Sequence, residues 1–442
     1  MSASSVPSRS LQPATAQSPL AQPPAVQPRI LILAVGSAGD VYPFIVIGQA
    51  LRARGFEVTL MASANFEERV QRAGLQFISG LSQQELDAGI RDPDLWDPVK
   101  GFATIWKHMA RHLPAAYSQQ LALVREKPTL IVASTLGLTG RLLQEAHGVP
   151  LVTVHLAPSC LFSADDTAVR RGLHWPRGWP RWAVRLTLGL VDRLMVDAVV
   201  RPALNGLRAN IGLAPVRRVM SEWLHSPQQV VCAWPAWFAA PQADWPPNAV
   251  CAGFPRMPAS TAELDPALQR FIDDGEAPIV ITPGSAMAHG SDFIARALAA
   301  AMALELRAVV VTPYREQVPA DLPATVHYAA YAPFDVLSRQ AAAFVHHGGI
   351  GTSATVLAAG KPQLIVPFAF DQPDNAARLT RLGVAATLLP DSAPAVWQQQ
   401  LGGLLDDPAV AKACATFATV MASGPAAADT IAELVLGTVS LS

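Results

Sequence analysis

The residues best suited to chemistry sit in glycine-bearing loops at the ends of apolar runs. In His346-His347-Gly348-Gly349-Ile350-Gly351-Thr352-Ser353, a turn joins an apolar run to a helical pattern. Free amides at a helix N-terminus bind phosphate, and glycines let an anion approach the backbone. Either imidazole adds a hydrogen bond or a charge there, and Thr352 adds a hydroxyl. Packing gives little reason for two adjacent histidines in such a turn.

A second loop, Gly36-Ser37-Ala38-Gly39-Asp40, follows the first apolar run. Its spacing is not the full GxGxxG of dinucleotide sites. Asp40 reads either as a helix N-cap or as a general base facing a cleft. The helix dipole is expected to lower its pKa and keep it ionised. In Phe370-Asp371-Gln372-Pro373-Asp374-Asn375, Asp371 and Gln372 suit vicinal hydroxyls, while Asp374 reads as the N-cap of a following helix. Two further loops stay open between function and plain structure. Ser285, after Gly284, donates to a phosphate oxygen or sits in an ordinary turn. Tyr331, before Ala332 and Pro333, stacks on a nucleobase or packs at a rim.

Metal chemistry has little support. Asp92-Pro93-Asp94 follows no apolar strand and reads as a turn. Cys160, Cys232, Cys251 and Cys414 form no CxxC pair. No metal site and no cofactor are expected.

These loops need strands to end on and helices to open. Apolar runs at 30–35, 56–62, 128–134 and 150–155 alternate with helical patterns, and a second series starts at 278–282. Its further strands are expected at 308–312, 326–329, 342–346 and 363–367, and a last helix at 426–436. Such alternation signals parallel sheets with crossover helices. The expected fold class is α/β: two Rossmann-like, doubly wound domains facing a central cleft. Residues 1–28, rich in proline, are expected as a disordered tail. Residues 29–240 form the N-terminal, acceptor-binding domain and 241–442 the C-terminal, nucleotide-sugar-binding domain. The last helix is expected to pack back on the first domain, and the linker to lie near 235–258.

Of 442 residues, 51% are apolar, and 33 Lys+Arg meet 34 Asp+Glu. That excludes a largely disordered chain and a nucleic-acid binder relying on overall charge. The most apolar long run, 184–200, carries four charges and does not suit a membrane span. A cytoplasmic protein is expected, with peripheral contact at the inner membrane as an option. The stretch 170–185 holds five arginines, three tryptophans and no acid. It reads as a lipid-contacting patch, a domain edge or an acceptor-site wall.

GSAGDVYPFI, HHGGIGTS and GKPQLIVPFAFDQPDNA together resemble family 1 glycosyltransferases of the GT-B fold. The aspartate in the first loop is similar to the sterol and antibiotic branch. DPDLWDP (92–98) and the stretch 223–246 resemble the rhamnosyltransferases of rhamnolipid synthesis. The likeness covers about residues 29–435 and leaves the tail outside. It implies Asp40 as the base, in a loop with Gly36, Ser37 and Gly39 on the acceptor side. It implies Gly284, Ser285, His346, His347, Gly349, Gly351 and Thr352 at the diphosphate, with either histidine as the contact. It places Tyr331 and Ala332 at the base, and Asp371 and Gln372 at the sugar hydroxyls. The implied reaction is inverting and metal-independent. It moves L-rhamnose from dTDP-L-rhamnose to a 3-(3-hydroxyalkanoyloxy)alkanoate, with an acyltransferase as a potential partner chain. A UDP-glucose-dependent transferase acting on a sterol, flavonoid or other lipid is the alternative. A nucleotide-binding module without turnover and a sugar epimerase stand behind it.

Overall fold

Near-continuous apolar runs, as in Ile30–Leu33 or Ile279–Ile281, suit strands covered by helices on both faces. The structure, a computed structural model, describes residues 27–171, 178–257 and 263–438. Most of the proline-rich stretch 1–28, and 172–177 within the arginine–tryptophan stretch, lie outside the described residues.

The first sheet contains β1 (Arg29–Leu33), β2 (Val58–Ser63), β3 (Gln76–Leu81), β4 (Thr129–Ser134), β5 (Leu151–His155), β6 (Gln229–Cys232) and β7 (Ala249–Cys251). Their order is β3-β2-β1-β4-β5-β6-β7, all parallel. The second sheet contains β8 (Ile279–Thr282), β9 (Ala308–Val311), β10 (Val326–Ala329), β11 (Ala343–His346), β12 (Gln363–Ile365) and β13 (Ala385–Thr387). Its order is β10-β9-β8-β11-β12-β13, again parallel. Both sheets are doubly wound, as expected, and the strand order reverses between β1 and β4 and between β8 and β11. Ligand sites in such sheets lie beyond the strand ends at that reversal.

Helices α1 (Ala38–Ala53), α2 (Glu67–Arg72), α3 (Gln83–Ile90), α4 (Gly101–Glu126), α5 (Leu138–His147), α6 (Arg181–Val191) and α7 (Ala198–Asn210) accompany the first sheet. With the second lie α8 (Pro266–Asp273), α9 (Ser291–Ala303), α10 (Phe334–Gln340), α11 (Ile350–Ala358), α12 (Gln372–Arg381), α13 (Pro394–Asp406) and α14 (Pro408–Ser423). The last helix, α15 (Ala427–Gly437), returns to the first sheet. Its Ile431, Ala432 and Val435 share a buried cluster with Ile30, Ile32 and Phe44. The first sheet also runs past residue 240, because Val231 pairs with Val250 in register.

The segment between the sheets is packed. Trp234, Trp245 and Phe254 join Ile350, Leu379 and Cys414 in one buried cluster. That cluster ties the strand ends of the first sheet to α11, α12 and α14 of the second. All four cysteines are free thiols.

Candidate active site

The loops after β1, β4, β8 and β11 open on one cleft of about 1940 Å³ between the sheets. It is lined by Gly36, Ser37, Gly39 and Asp40 from one side and by Gly284, Ser285, Tyr331, Ala332, His347, Gly349, Gly351, Thr352, Asp371 and Gln372 from the other. Of the residues assigned in the sequence to catalysis or donor binding, only His346 does not line it.

The first loop is built by a capping exchange. Ser37, not Asp40, is the N-cap of α1, and Asp40 is the third helical residue. Asp40 Oδ2 accepts from the Ser37 amide at 2.7 Å and the Ser37 hydroxyl at 2.9 Å. A helix N-terminus lowers a carboxylate pKa, but burial outweighs that here and pushes Asp40 above the ordinary range, against the Ser37 hydrogen bonds. The sequence expectation of a lowered pKa is therefore reversed. The result is a stronger base. Gly36, at φ +135°, has the Asp40 carboxylate where a Cβ would stand.

The histidine pair divides. His346 ends β11 and is fully buried. Its Nε2–H donates to Gln363 Oε1 at 2.9 Å, and its Nδ1 accepts from the Gly348 amide at 3.1 Å. Both ring nitrogens are used inside the domain, which corrects the expectation that His346 stands at the diphosphate. His347 faces the cleft, and its Nδ1 makes no hydrogen bond with the described residues. Burial, then the neighbouring His346, lowers its pKa to about 3, so it offers a neutral ring and not a charge. Gly284, at φ +100°, lets the β8 loop lie against that ring, since a Cβ would come within 2.7 Å of it.

Gly349 is the N-cap of α11, so the amides of Ile350, Gly351 and Thr352 have no partner within the helix and open toward the cleft. A Cβ on Gly351 would have Gly39 Cα as its nearest neighbour, at 3.9 Å. The N-termini of α1 and α11 thus approach each other backbone to backbone, one from each sheet. Both are the positive ends of their helices.

Asp371 is the N-cap of α12, which starts at Gln372 and not after Asp374. Burial and the charge of Asp40 raise its pKa to about 7. Asn375 Nδ2 donates to Asp371 Oδ2 at 2.7 Å and to the Gly348 carbonyl at 3.0 Å. That amide links the sugar-side carboxylate to the glycine turn. Gln372 Oε1 accepts from the Phe368 and Ala369 amides at 2.8 and 3.1 Å. The same oxygen that suits a sugar hydroxyl therefore also holds the loop. Asp374, expected as a cap, is buried: its Oδ2 takes Arg378 Nε at 2.8 Å and its Oδ1 the Val169 amide at 3.0 Å. It ties the second domain to the segment before Arg170.

Ser285 is exposed on the cleft wall. Tyr331 is exposed at the rim, where its hydroxyl accepts from Arg69 Nη2 at 3.3 Å and its ring lies 5.6 Å from that guanidinium. Arg69 thus bridges to the second domain, and nothing in its sequence context marks it. Trp96, from the DPDLWDP stretch, packs edge-on against Phe370 at 5.7 Å, and Phe370 itself adopts φ +58°. That left-handed turn aims the following Asp371.

Arg170 and Arg171 of the arginine–tryptophan stretch line the cleft, but most of the acceptor wall comes from elsewhere. Trp223, Trp234 and Trp245 are core residues and do not line the cleft. Its apolar side comes from Leu86, Phe102, Ile105, Met109, Leu113 and Met195. Arg170 is a cation on this wall. It donates to the Ser159 carbonyl at 3.2 Å and lies 5.3 Å from the Phe162 ring, yet makes no ion pair with the described residues. Among the described residues, no group of three His, Cys, Asp or Glu side chains is placed to hold a metal ion. No described helix is long and apolar enough to cross a membrane.

Comparison with known proteins agrees with this layout. Residues 30–163 match the profile of the glycosyltransferase family 28 N-terminal domain. Residues 295–436 match that of the erythromycin biosynthesis protein CIII-like C-terminal domain. O-mycaminosyltylonolide 6-deoxyallosyltransferase of Streptomyces fradiae is 28% identical over 390 residues, 82% of this chain and 86% of that one. Sterol 3-beta-glucosyltransferase UGT80A2 of Arabidopsis thaliana is 27% identical over 383 residues, 82% of this chain and 58% of that one. The crystal structure of glycosyltransferase VinC with dTDP superposes with a TM-score of 0.65 at 20% identity, over 93% of this chain and 100% of that one. The chain has the GT-B fold and is similar, over about four-fifths of its length, to antibiotic and natural-product glycosyltransferases.

Proposed function

We propose that this chain transfers a sugar, with inversion, from a nucleoside diphosphate to the hydroxyl of an apolar acceptor. Asp40 carries the reading: a carboxylate of raised pKa at the strand-order reversal, directed at the loops of the other domain. It takes the acceptor proton as the acceptor oxygen bonds to the anomeric carbon. The bond from that carbon to the diphosphate breaks on the opposite face. The departing diphosphate is received by the amides that open α11, the neutral His347 and Ser285. Asp371 holds sugar hydroxyls, with Asn375 fixing its orientation, and Tyr331 stacks on the base.

The finer reading is dTDP-L-rhamnose as donor and a 3-(3-hydroxyalkanoyloxy)alkanoate as acceptor. The motif resemblance supports it, and so does Arg170: a guanidinium on an apolar wall that makes no ion pair with the described residues suits an acceptor bearing a carboxylate. A neutral sterol or flavonoid taking glucose from UDP-glucose would offer that cation no carboxylate. The test is donor profiling with a hydroxyalkanoyloxy acid, read by product mass. dTDP-rhamnose is expected to be preferred, and a clear preference for UDP-glucose refutes the rhamnosyl reading. In Arg170→Met, KM for the acid is expected to rise about tenfold or more, the worth of one charge-assisted hydrogen bond. KM for its methyl ester should stay unchanged; equal effects on both refute the carboxylate role.

A further inference from the structure

Outside the cleft, the strongest surface feature is the outer face of α6 and its π-helical continuation, Asp192–Asp197. Trp182, Leu186, Leu190 and Leu194 follow at intervals of four and are all exposed, the first two at 69%. Trp179 precedes them and Met195 ends the run, both also exposed. The inward face of α6 is apolar, with Val184 and Leu188 buried, so this outer stripe is a second apolar face where a surface helix usually carries polar residues. The two acids of the segment turn inward. Asp192 is fully buried and accepts from the Ser221 amide and hydroxyl. Asp197 accepts from the Arg218 and Val219 amides at 2.9 and 3.0 Å. The three arginines, Arg181, Arg185 and Arg193, stay outside. Arg181 pairs with Asp165, Arg185 stands 3.9 Å from Asp244, and Arg193 makes no ion pair with the described residues. An apolar stripe flanked by cations fits one partner chemistry, a surface with an apolar interior and anionic headgroups. The stripe is also continuous with the cleft, because Val191, Leu194 and Met195 belong to its lining.

We propose that this face docks on an anionic phospholipid bilayer. Trp182, Leu186 and Leu190 enter the interface, the arginines meet headgroup phosphates, and Leu194 and Met195 form the threshold from bilayer to cleft. An amphiphilic acceptor then reaches Asp40 without crossing water. That last step rests on the apolar acceptor proposed above; the docking itself does not, and it is measured without donor or acceptor.

The experiment is co-sedimentation of the full chain with vesicles of phosphatidylglycerol and phosphatidylcholine in equal parts, and of phosphatidylcholine alone. Wild type should bind the anionic vesicles more tightly, by about fivefold per arginine engaged. The double variant Leu186→Ser, Leu190→Ser should bind at least about a hundredfold more weakly, since each leucine buries a full side chain. Both positions are exposed, so its thermal unfolding and its turnover of a short, water-soluble acceptor should match wild type. Arg185→Gln with Arg193→Gln should remove most of the preference for anionic vesicles. Failure of wild type to bind, or equal binding by the serine variant, overturns the proposal. So does a wild-type dimer in sedimentation velocity that the serine variant loses while vesicle binding is absent; a second copy would then cover the stripe. If no donor is ever turned over but the vesicle results hold, the catalytic reading fails and the docking face stands.

Discussion

Replacing Asp371 by asparagine should stabilise the protein at high pH and leave it nearly unchanged at low pH. The carboxyl titrates at about 7 in the fold, against an ordinary value of 3.8, because of burial and the facing charge of Asp40. The folded state therefore holds a proton that the unfolded chain has already released between about pH 4 and 7. Stability falls as pH rises through that window and is flat above it. At about 1.36 kcal/mol per unit, the shift sets a ceiling of about 4 kcal/mol. The carboxylate lines an open cleft, so screening reduces this to about 1–2 kcal/mol. Asparagine keeps an oxygen for the Asn375 amide and has no charge to bury. Thermal unfolding of the two proteins at pH 5 and pH 8 measures the effect. The variant should melt about 3–6 °C higher at pH 8 but only about 1–2 °C higher at pH 5, where little more than a third of the penalty has developed. In an Asp40→Asn background the pH 8 gain should shrink, because one cause of the raised pKa is gone. Equal gains at both pH values would refute the reasoning, and so would a loss at pH 8.

Asp40→Asn should lower kcat by about 10²–10⁴ while donor affinity, measured by calorimetry, stays within a few-fold; activity within about tenfold of wild type removes Asp40 as the base. His347→Ala should weaken nucleoside diphosphate binding by about tenfold with little loss of stability, whereas His346→Ala should cost about 1–3 kcal/mol in denaturant unfolding, since it strands Gln363 Oε1 and the Gly348 amide in the core. The reverse pattern would exchange their roles. Gly349→Ala would set a Cβ about 2.5 Å from His347 Nε2. It should displace that ring and reduce diphosphate affinity at least as much as His347→Ala does; wild-type affinity would show that the ring is not a contact.

The alternation of apolar runs and helices was enough to read the doubly wound architecture, because central strands buried on both faces are apolar throughout. The buried four-residue β6 escaped that reading, and so did elements whose burial is partial. β3 (Gln76–Leu81) is an edge strand with exposed and half-buried positions only. β7 and β13 are three-residue edges. α4 carries Pro114 in its interior and α13 carries Gly402-Gly403, so propensity argues against both until packing overrides it. Tryptophan misled for a related reason. The arginine–tryptophan stretch 170–185 reads as an acceptor wall among other options, but the tryptophans that follow it serve packing: Trp234 and Trp245 meet at 5.9 Å inside the core that joins the domains.

At the site, loop composition identified the groups but not their electrostatics. A sequence places Asp40 near a helix N-terminus and predicts a lowered pKa; only the fold shows that burial outweighs the helix end, and that Asp40 faces Asp371, more than three hundred residues later, with like charge. The same folding sends His346 inward to Gln363 and leaves His347 outward, a division that two identical side chains in adjacent positions cannot reveal. Gly39 and Gly351 gain meaning together. Each alone eases a turn, but their contact lets two helix N-termini converge, and the two raised carboxylates sit where those positive ends meet. A donor bringing a diphosphate to α11 adds negative charge to that zone. It should therefore raise the pKa of both carboxylates further unless sugar hydroxyls donate to Asp371 first. Productive binding then requires the sugar to satisfy Asp371 while the acceptor hydroxyl donates to an ionised Asp40, which makes the sugar's hydroxyl pattern a determinant of turnover and not of affinity alone.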